Sequence, residues 1–260
     1  QLVMQNYMLE RLLARISSSN YKNNFILKGG FLISAIIGID SRTTMDLEGT
    51  IKGFNLSKES INDIFNDICK IDLKDNISFK ILSLEDIRGK DDYPGVRVKL
   101  HALYLPLKVP ISVDITTGDK ITPKEINYKF NSLFEDKQIE VLAYNLETIL
   151  AEKLETILSR GIVNTRARDF YDVYMLYNLY KDKINYSSLK NAIISTTKKR
   201  NTLYVLDDYK NILSQILENS DVVNLWSRYK ESFNYVKKVT FKESLSIINE
   251  LMSEIPTVKG

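Results

Sequence analysis

The period of the apolar residues changes once along the chain, and that change decides which kinds of packing the molecule can contain. Up to about residue 140, runs that alternate apolar and polar side chains are interspersed with helix-like stretches. After Asn145 the pattern is almost wholly helical, and proline is absent from Lys124 to Ile255. Alternation puts successive side chains on opposite faces of a strand, whereas apolar residues three or four apart make one face of a helix. The expected fold class is therefore α+β: a mixed-sheet N-terminal domain over 1–143, led by a helix, followed by a helical domain over 144–260. A chain of 260 residues gives each part enough length for a core of its own.

Within the first part, Met4, Met8, Leu12, Leu13 and Ile16 recur at helical spacing, so an amphipathic helix opens the chain. The short run Phe25-Ile26-Leu27-Lys28 is broken by Gly29-Gly30, and Phe31 to Ile37 reads as a buried helix. The glycine pair thus marks a strand-to-helix junction or a helix N-terminus. Thr44 to Lys52 alternates strictly and reads as a half-buried strand. Ser57 is a candidate N-cap for a helix through about Lys70, and strands are expected at Ile77–Leu84, Val96–Leu105 and Ile111–Thr116. A turn-rich stretch, Gly89 to Gly95, separates the first two of these strands. Beyond Asn145 the expected helices are Leu146–Ser159, Arg166–Tyr180, Tyr186–Thr196, Leu203–Glu218, a segment around Trp226, and Phe241–Met252.

Composition narrows the chemistry. One cysteine, Cys69, and one histidine, His101, exclude an internal disulfide and a Cys/His zinc cluster, leaving mainly carboxylates and lysines to do chemical work. No run approaches the roughly 18 apolar residues of a membrane-spanning helix, and no signal-peptide pattern opens the sequence, so no membrane partner and a cytoplasmic location are expected. A net charge of +3 supports a nucleic-acid partner only weakly. Arg160, Arg166 and Arg168, with Lys198-Lys199-Arg200, form local basic clusters that either face solvent or touch a nucleic-acid backbone. The stripe of Tyr171, Tyr174, Tyr177 and Tyr180 reads as helix packing.

The informative feature is Asp46-Leu47-Glu48 on a predicted strand. Residues two apart on a strand share a face, so the two carboxylates crowd one another and call for a neutralising cation. Alone, the same pattern also describes the solvated face of an edge strand. In Ile111 to Thr117, however, Asp114 shares a face with Ser112 and Thr116 in an otherwise core-like strand, where a buried carboxylate needs pairing or a metal. Placed beside the Asp46 strand, Asp114 completes a three-carboxylate site. Lys28-Gly29-Gly30 adds a place where backbone and a helix N-terminus can approach an anion.

Leu27-Lys28-Gly29-Gly30 followed by Asp46-Leu47-Glu48 and a later Asp114 resembles the signature of polymerase-β-type nucleotidyltransferases. Together with Arg42 to Glu48, Val113 to Asp119, Glu152-Lys153-Leu154-Glu155 and Arg168-Asp169-Phe170-Tyr171-Asp172, it resembles more specifically the AbiEii family, the nucleotidyltransferase toxins of type IV abortive-infection toxin–antitoxin systems. Glu48 stands where that family commonly has Asp, and Arg168 where it commonly has Lys.

The resemblance implies a nucleotidyltransferase-like first domain and a helical second domain that completes the nucleotide cleft. It implies Asp46, Glu48, Asp114 and Asp169 as catalytic residues, the first three as ligands of Mg²⁺. Lys28, Gly29, Gly30, Arg42, Thr44, Lys153 and Asp172 are implied on the nucleotide side. The substrate is then a nucleoside triphosphate and the acceptor an RNA, the 3′ end of tRNA. A cognate antitoxin encoded nearby is the implied partner, without a tight complex. The alternatives are a nucleotide-binding protein with little or no transferase activity, or a transferase that modifies protein hydroxyls.

Overall fold

The computed structural model describes residues 2–38, 40–42, 44–87 and 95–255. The turn-rich stretch expected from Gly89 lies outside the described residues, except for Gly95, which opens a strand. The chain divides into two compact units: Gln1–Asp119 with Glu125–Tyr144, and Lys120–Lys124 with Asn145–Gly260.

The first unit contains α1 (Leu2–Ser17), β1 (Phe25–Lys28), α2 (Gly29–Ile37), β2 (Asp46–Ile51), α3 (Lys58–Cys69), β3 (Ser78–Ile87), β4 (Gly95–Tyr104), β5 (Leu107–Thr117), β6 (Ile126–Asn131) and β7 (Gln138–Ala143). Its strands form one sheet in the order β3-β4-β5-β2-β1-β7-β6. The β2–β5 and β1–β7 pairs are parallel and the other neighbours antiparallel, so the sheet is mixed.

Alternation explains the layering. Leu47, Val113 and Val98 lie on the buried face and are fully excluded from solvent, while Asp46, Glu48 and Asp114 project from the other. Phe25, Ile51 and Ile115 on the apolar face line a small cavity with Ile61, Ile64, Phe65 and Ile68 of α3. That helix starts where Ser57 accepts from the Ser60 amide while the Ser60 hydroxyl accepts from the Ser57 amide, a reciprocal cap. In α1, Met8, Leu9, Leu12, Leu13 and Ile16 are buried, and Gln5 and Asn6 donate to the Met45 and Thr44 carbonyls. The approach to β2 is thereby fixed.

The second unit comprises α4 (Leu146–Arg160), α5 (Ala167–Tyr180), α6 (Tyr186–Lys199), α7 (Val205–Glu218), α8 (Ser220–Ser232) and α9 (Phe241–Ser253). Asn145 caps α4 by accepting from the Thr148 amide and also donates to the Thr122 and Lys124 carbonyls. These bonds tie the Lys120–Lys124 segment to this unit. Tyr171 is buried against Tyr229 and Tyr235, and the Tyr177 hydroxyl donates to Glu250, so both tyrosines are helix-packing residues. No helix among the described residues is long and apolar enough to cross a membrane.

Candidate active site

Strand register assembles the polar face. Lys28 on β1 stands opposite Glu48 on β2, Glu48 opposite Asp114 on β5, Asp114 opposite Arg97 on β4, and Arg97 opposite Glu85 on β3. One row across five strands therefore reads cation, carboxylate, carboxylate, cation, carboxylate. The next row runs from Asp46 through Ser112 to Lys99. Asp46, Glu48 and Asp114 share this face because residues two apart, and residues directly opposite, point the same way.

Each carboxylate has a protein donor. Ser112 Oγ donates to Asp46 Oδ1. The Gly30 amide donates to Glu48 Oε2 at 2.6 Å, so one free amide of the first turn of α2 meets an anion, in keeping with the positive end of a helix. The longer reach of Glu relative to Asp gives the extra methylene at position 48 a local use. Arg97 Nε and Nη2 grip Asp114 Oδ1 and Oδ2 at 2.6 and 2.7 Å in a bidentate fork.

The glycines set these approaches. Gly29 has φ +68°, and a Cβ there would fall on the Glu48 carboxylate. A Cβ on Gly30 would lie 2.9 Å from both Arg42 Nη2 and Thr44 Oγ1, which places those two residues against the start of α2. Ser34 Oγ donates to the Arg42 carbonyl and holds that segment. Gly29→Ala should cost about 2 kcal/mol, combining left-handed strain with displacement of Glu48. Gly38, with φ +97°, ψ 139° and nothing within 4 Å of its Cβ position, carries backbone strain alone in a nearly glycine-only conformation, so Gly38→Ala should cost about 1–3 kcal/mol in urea unfolding without moving Glu48.

Lys28 is nearly buried, at 6% exposure, and forms an ion pair with Asp119, whose carboxylate also accepts from the Thr116 hydroxyl at 2.8 Å. Burial alone would raise the Asp119 carboxyl, but the Lys28 ammonium, helped by Thr116, outweighs it and holds the group well below the usual carboxylate range. Asp119 and Arg97 are the charged partners that sequence reasoning missed. Arg97 alternates with Lys99 on a polar strand face, which is a signal for position only; its partner depends on a register that no local pattern reveals.

In the helical unit Lys153 on α4 bonds Asp169 and lies 2.9 Å from Asp172, both on α5. The two aspartates are 3% and 0% exposed at their side chains, and Asp169 Oδ2 is buried without a hydrogen-bond partner among the described residues. Burial opposes the Lys153 charge, but Asp172 and Asp169 outweigh it and raise its pKa. Glu155 has a scaffold role, accepting from Arg200 and from the Thr202 hydroxyl. Arg168 is exposed.

The hard oxygen donors of Asp46 and Glu48 suit a divalent cation such as Mg²⁺, and each commits one oxygen to a protein donor. Asp114 commits both to Arg97. Among the described residues no three His, Cys, Asp or Glu side chains stand close enough to hold an ion. The donor set therefore fits the cation in kind, with Asp114 held by the guanidinium.

The fold belongs to a recognisable class. It is similar to a Helicobacter pylori crystal structure described as a candidate nucleotidyltransferase, with TM-score 0.52 and 14% identity over 97% of this chain and 93% of that one. The crystal structure of JHP933 from Helicobacter pylori is similar to the same degree, with TM-score 0.52 and 14% identity, covering 97% and 90% of the two chains. At that identity the likeness shows the fold alone. The sequence model of the nucleotidyl transferase AbiEii toxin, type IV toxin–antitoxin system, matches residues 11–245, and the chain belongs to the AbiEii family. No curated protein matches it.

Proposed function

We propose that this chain transfers a nucleotidyl group from a nucleoside triphosphate to the 3′ hydroxyl of an RNA, in a Mg²⁺-dependent reaction, with tRNA as the acceptor. The observation that carries the reading is the placing of Asp46, Glu48 and Asp114 on one face of adjacent strands, beside a helix that begins at Gly29. Family membership supplies the toxin role, the triphosphate substrate and an antitoxin partner. We place the reaction in the cytoplasm and the antitoxin gene nearby, with no tight complex.

Asp46, Glu48 and Asp114 would hold the cation, which supplies charge neutralisation on the phosphates and on the transition state. The chain's own groups do the rest. The Gly29-Gly30 backbone, Arg42 and Thr44 bound the place where α2 starts, and Lys28 is the cation on the same strand row. The acceptor oxygen attacks the α-phosphorus, the bond to the β-phosphate oxygen breaks, and pyrophosphate leaves. Asp114 or another carboxylate takes the hydroxyl proton. In the helical unit Lys153 and Asp172 are the proposed phosphate-side residues and Asp169 a further catalytic carboxylate.

Each α-labelled nucleoside triphosphate, incubated in turn with the chain, Mg²⁺ and total RNA, tests this. Label should enter small RNA for at least one nucleotide, and periodate oxidation of the RNA 3′ ends should abolish it. Label on protein instead would select the protein-hydroxyl reading. Nucleotide binding with no label on either would select the binding-protein reading, which the Arg97 grip on Asp114 favours.

A further inference from the structure

Asp114 is the one carboxylate of the three whose two oxygens are both taken by a protein cation. Three carboxylates on one sheet face repel each other, and a guanidinium inserted in their row supplies one of the positive charges that a metal ion would bring. The pair is not sealed in the interior. The Arg97 side chain is 37% exposed and that of Asp114 17%, so the guanidinium can turn into water without leaving buried donors unpaired. Its other charged neighbours are Asp46 and Glu85, which also attract it. Lys99, on the same strand face one row away, is bonded to Glu85 at 2.6 Å and not to any of the three carboxylates.

We infer that Arg97 is the internal counter-ion of Asp114 and competes with the divalent cation for that carboxylate, so that the third ligand becomes available only when the guanidinium is displaced. Arg97 is thus a positioning residue. It acts through Asp114, and this role rests on the reading of Asp46, Glu48 and Asp114 as metal ligands.

The test uses the full chain and Mn²⁺ as a spectroscopic stand-in for Mg²⁺, with free Mn²⁺ counted by electron paramagnetic resonance in the absence of nucleotide. Arg97→Gln should lower the Mn²⁺ Kd about tenfold, the scale of one charge-assisted bidentate pair. Arg97→Lys keeps the charge but loses the fork, so it should fall between, at about threefold. Lys99→Gln removes the same charge from the same face and should stay within about twofold of wild type. Should Arg97→Gln fail to fold, Arg97→Lys decides. Unchanged or weaker Mn²⁺ binding in the Arg97 variants overturns the inference, as does an equal gain in Lys99→Gln, which would reduce the effect to net charge. If wild type and every variant bind no Mn²⁺, the metal-site reading falls and this inference with it. Binding that is present in wild type and lost in Asp46→Ala keeps the metal site standing whatever Arg97 does.

Discussion

Asp46→Ala is expected to lower nucleotidyl transfer by about a thousandfold or more while leaving the protein as stable as wild type or slightly more so. The two halves of that result have separate causes. Asp46 opens β2, is half-buried, and among the described residues its side chain accepts one hydrogen bond, from the Ser112 hydroxyl. Ser112 is itself only partly buried, so water can replace the lost acceptor. Removing one carboxylate from the face it shares with Glu48 and Asp114 also relieves like-charge repulsion. Function and stability therefore move independently at this position. A urea midpoint that falls together with activity would mean that Asp46 is a scaffold residue and that the chemistry lies elsewhere.

Lys153→Met should instead add to any loss of activity a large loss of stability, about 3–5 kcal/mol, in the helical unit. The lysine is the shared cation of Asp169 and Asp172, which belong to the first two turns of α5 and are almost fully excluded from solvent. Without it two buried carboxylates face each other, and Asp169 Oδ2 already lacks a hydrogen bond among the described residues. The raised Lys153 sets the sign of the pH dependence: its contribution is fully present below the unfolded pKa and is lost as pH rises through the folded one. The destabilisation measured by urea unfolding should thus be as large at pH 9 as at pH 7 and shrink only where Lys153 itself loses its proton. A loss that stays the same at still higher pH would show that the deficit comes from lost packing of the lysine stem.

Much of the polar face was legible because strand alternation is a local signal. Asp46, Glu48 and Asp114 could be put on outward faces from period alone, and the glycine pair at a strand-to-helix junction is where α2 begins. The helix start at Gly29 instead of Phe31 shows only a boundary shift. What was not legible depends on register and on contacts distant in sequence. The pairing of β2 with β5, which sets Glu48 opposite Asp114, joins segments more than sixty residues apart. β4 and β5 are neighbours in sequence, but the register of their hairpin, which delivers Arg97 to Asp114, is not fixed by alternation alone. The strand β6 escaped notice because Ile126–Asn131 buries only Phe130 and exposes or half-exposes the rest, which weakens the alternation. β7 does alternate, with Ile139, Val141 and Ala143 buried, a local signal that sequence reasoning passed over. Lys120–Lys124 joins the helical unit through bonds that the Asn145 side-chain amide donates to Thr122 and Lys124 and one that the Thr122 amide donates to the Thr148 hydroxyl, which no pattern in that segment predicts. Asp119 as the partner of Lys28 is a further case, since ninety residues separate them.

The central claim is that this sheet face transfers a nucleotide and does not merely bind or hydrolyse one. The most direct measurement is stoichiometric: wild-type chain, Mg²⁺, RNA and the α-labelled triphosphate that gives label, with pyrophosphate and RNA-bound label quantified in the same reaction. The account predicts one pyrophosphate for each nucleotide attached, and neither product with Asp46→Ala. Pyrophosphate released without label on RNA, or label that persists in Asp46→Ala, would contradict it.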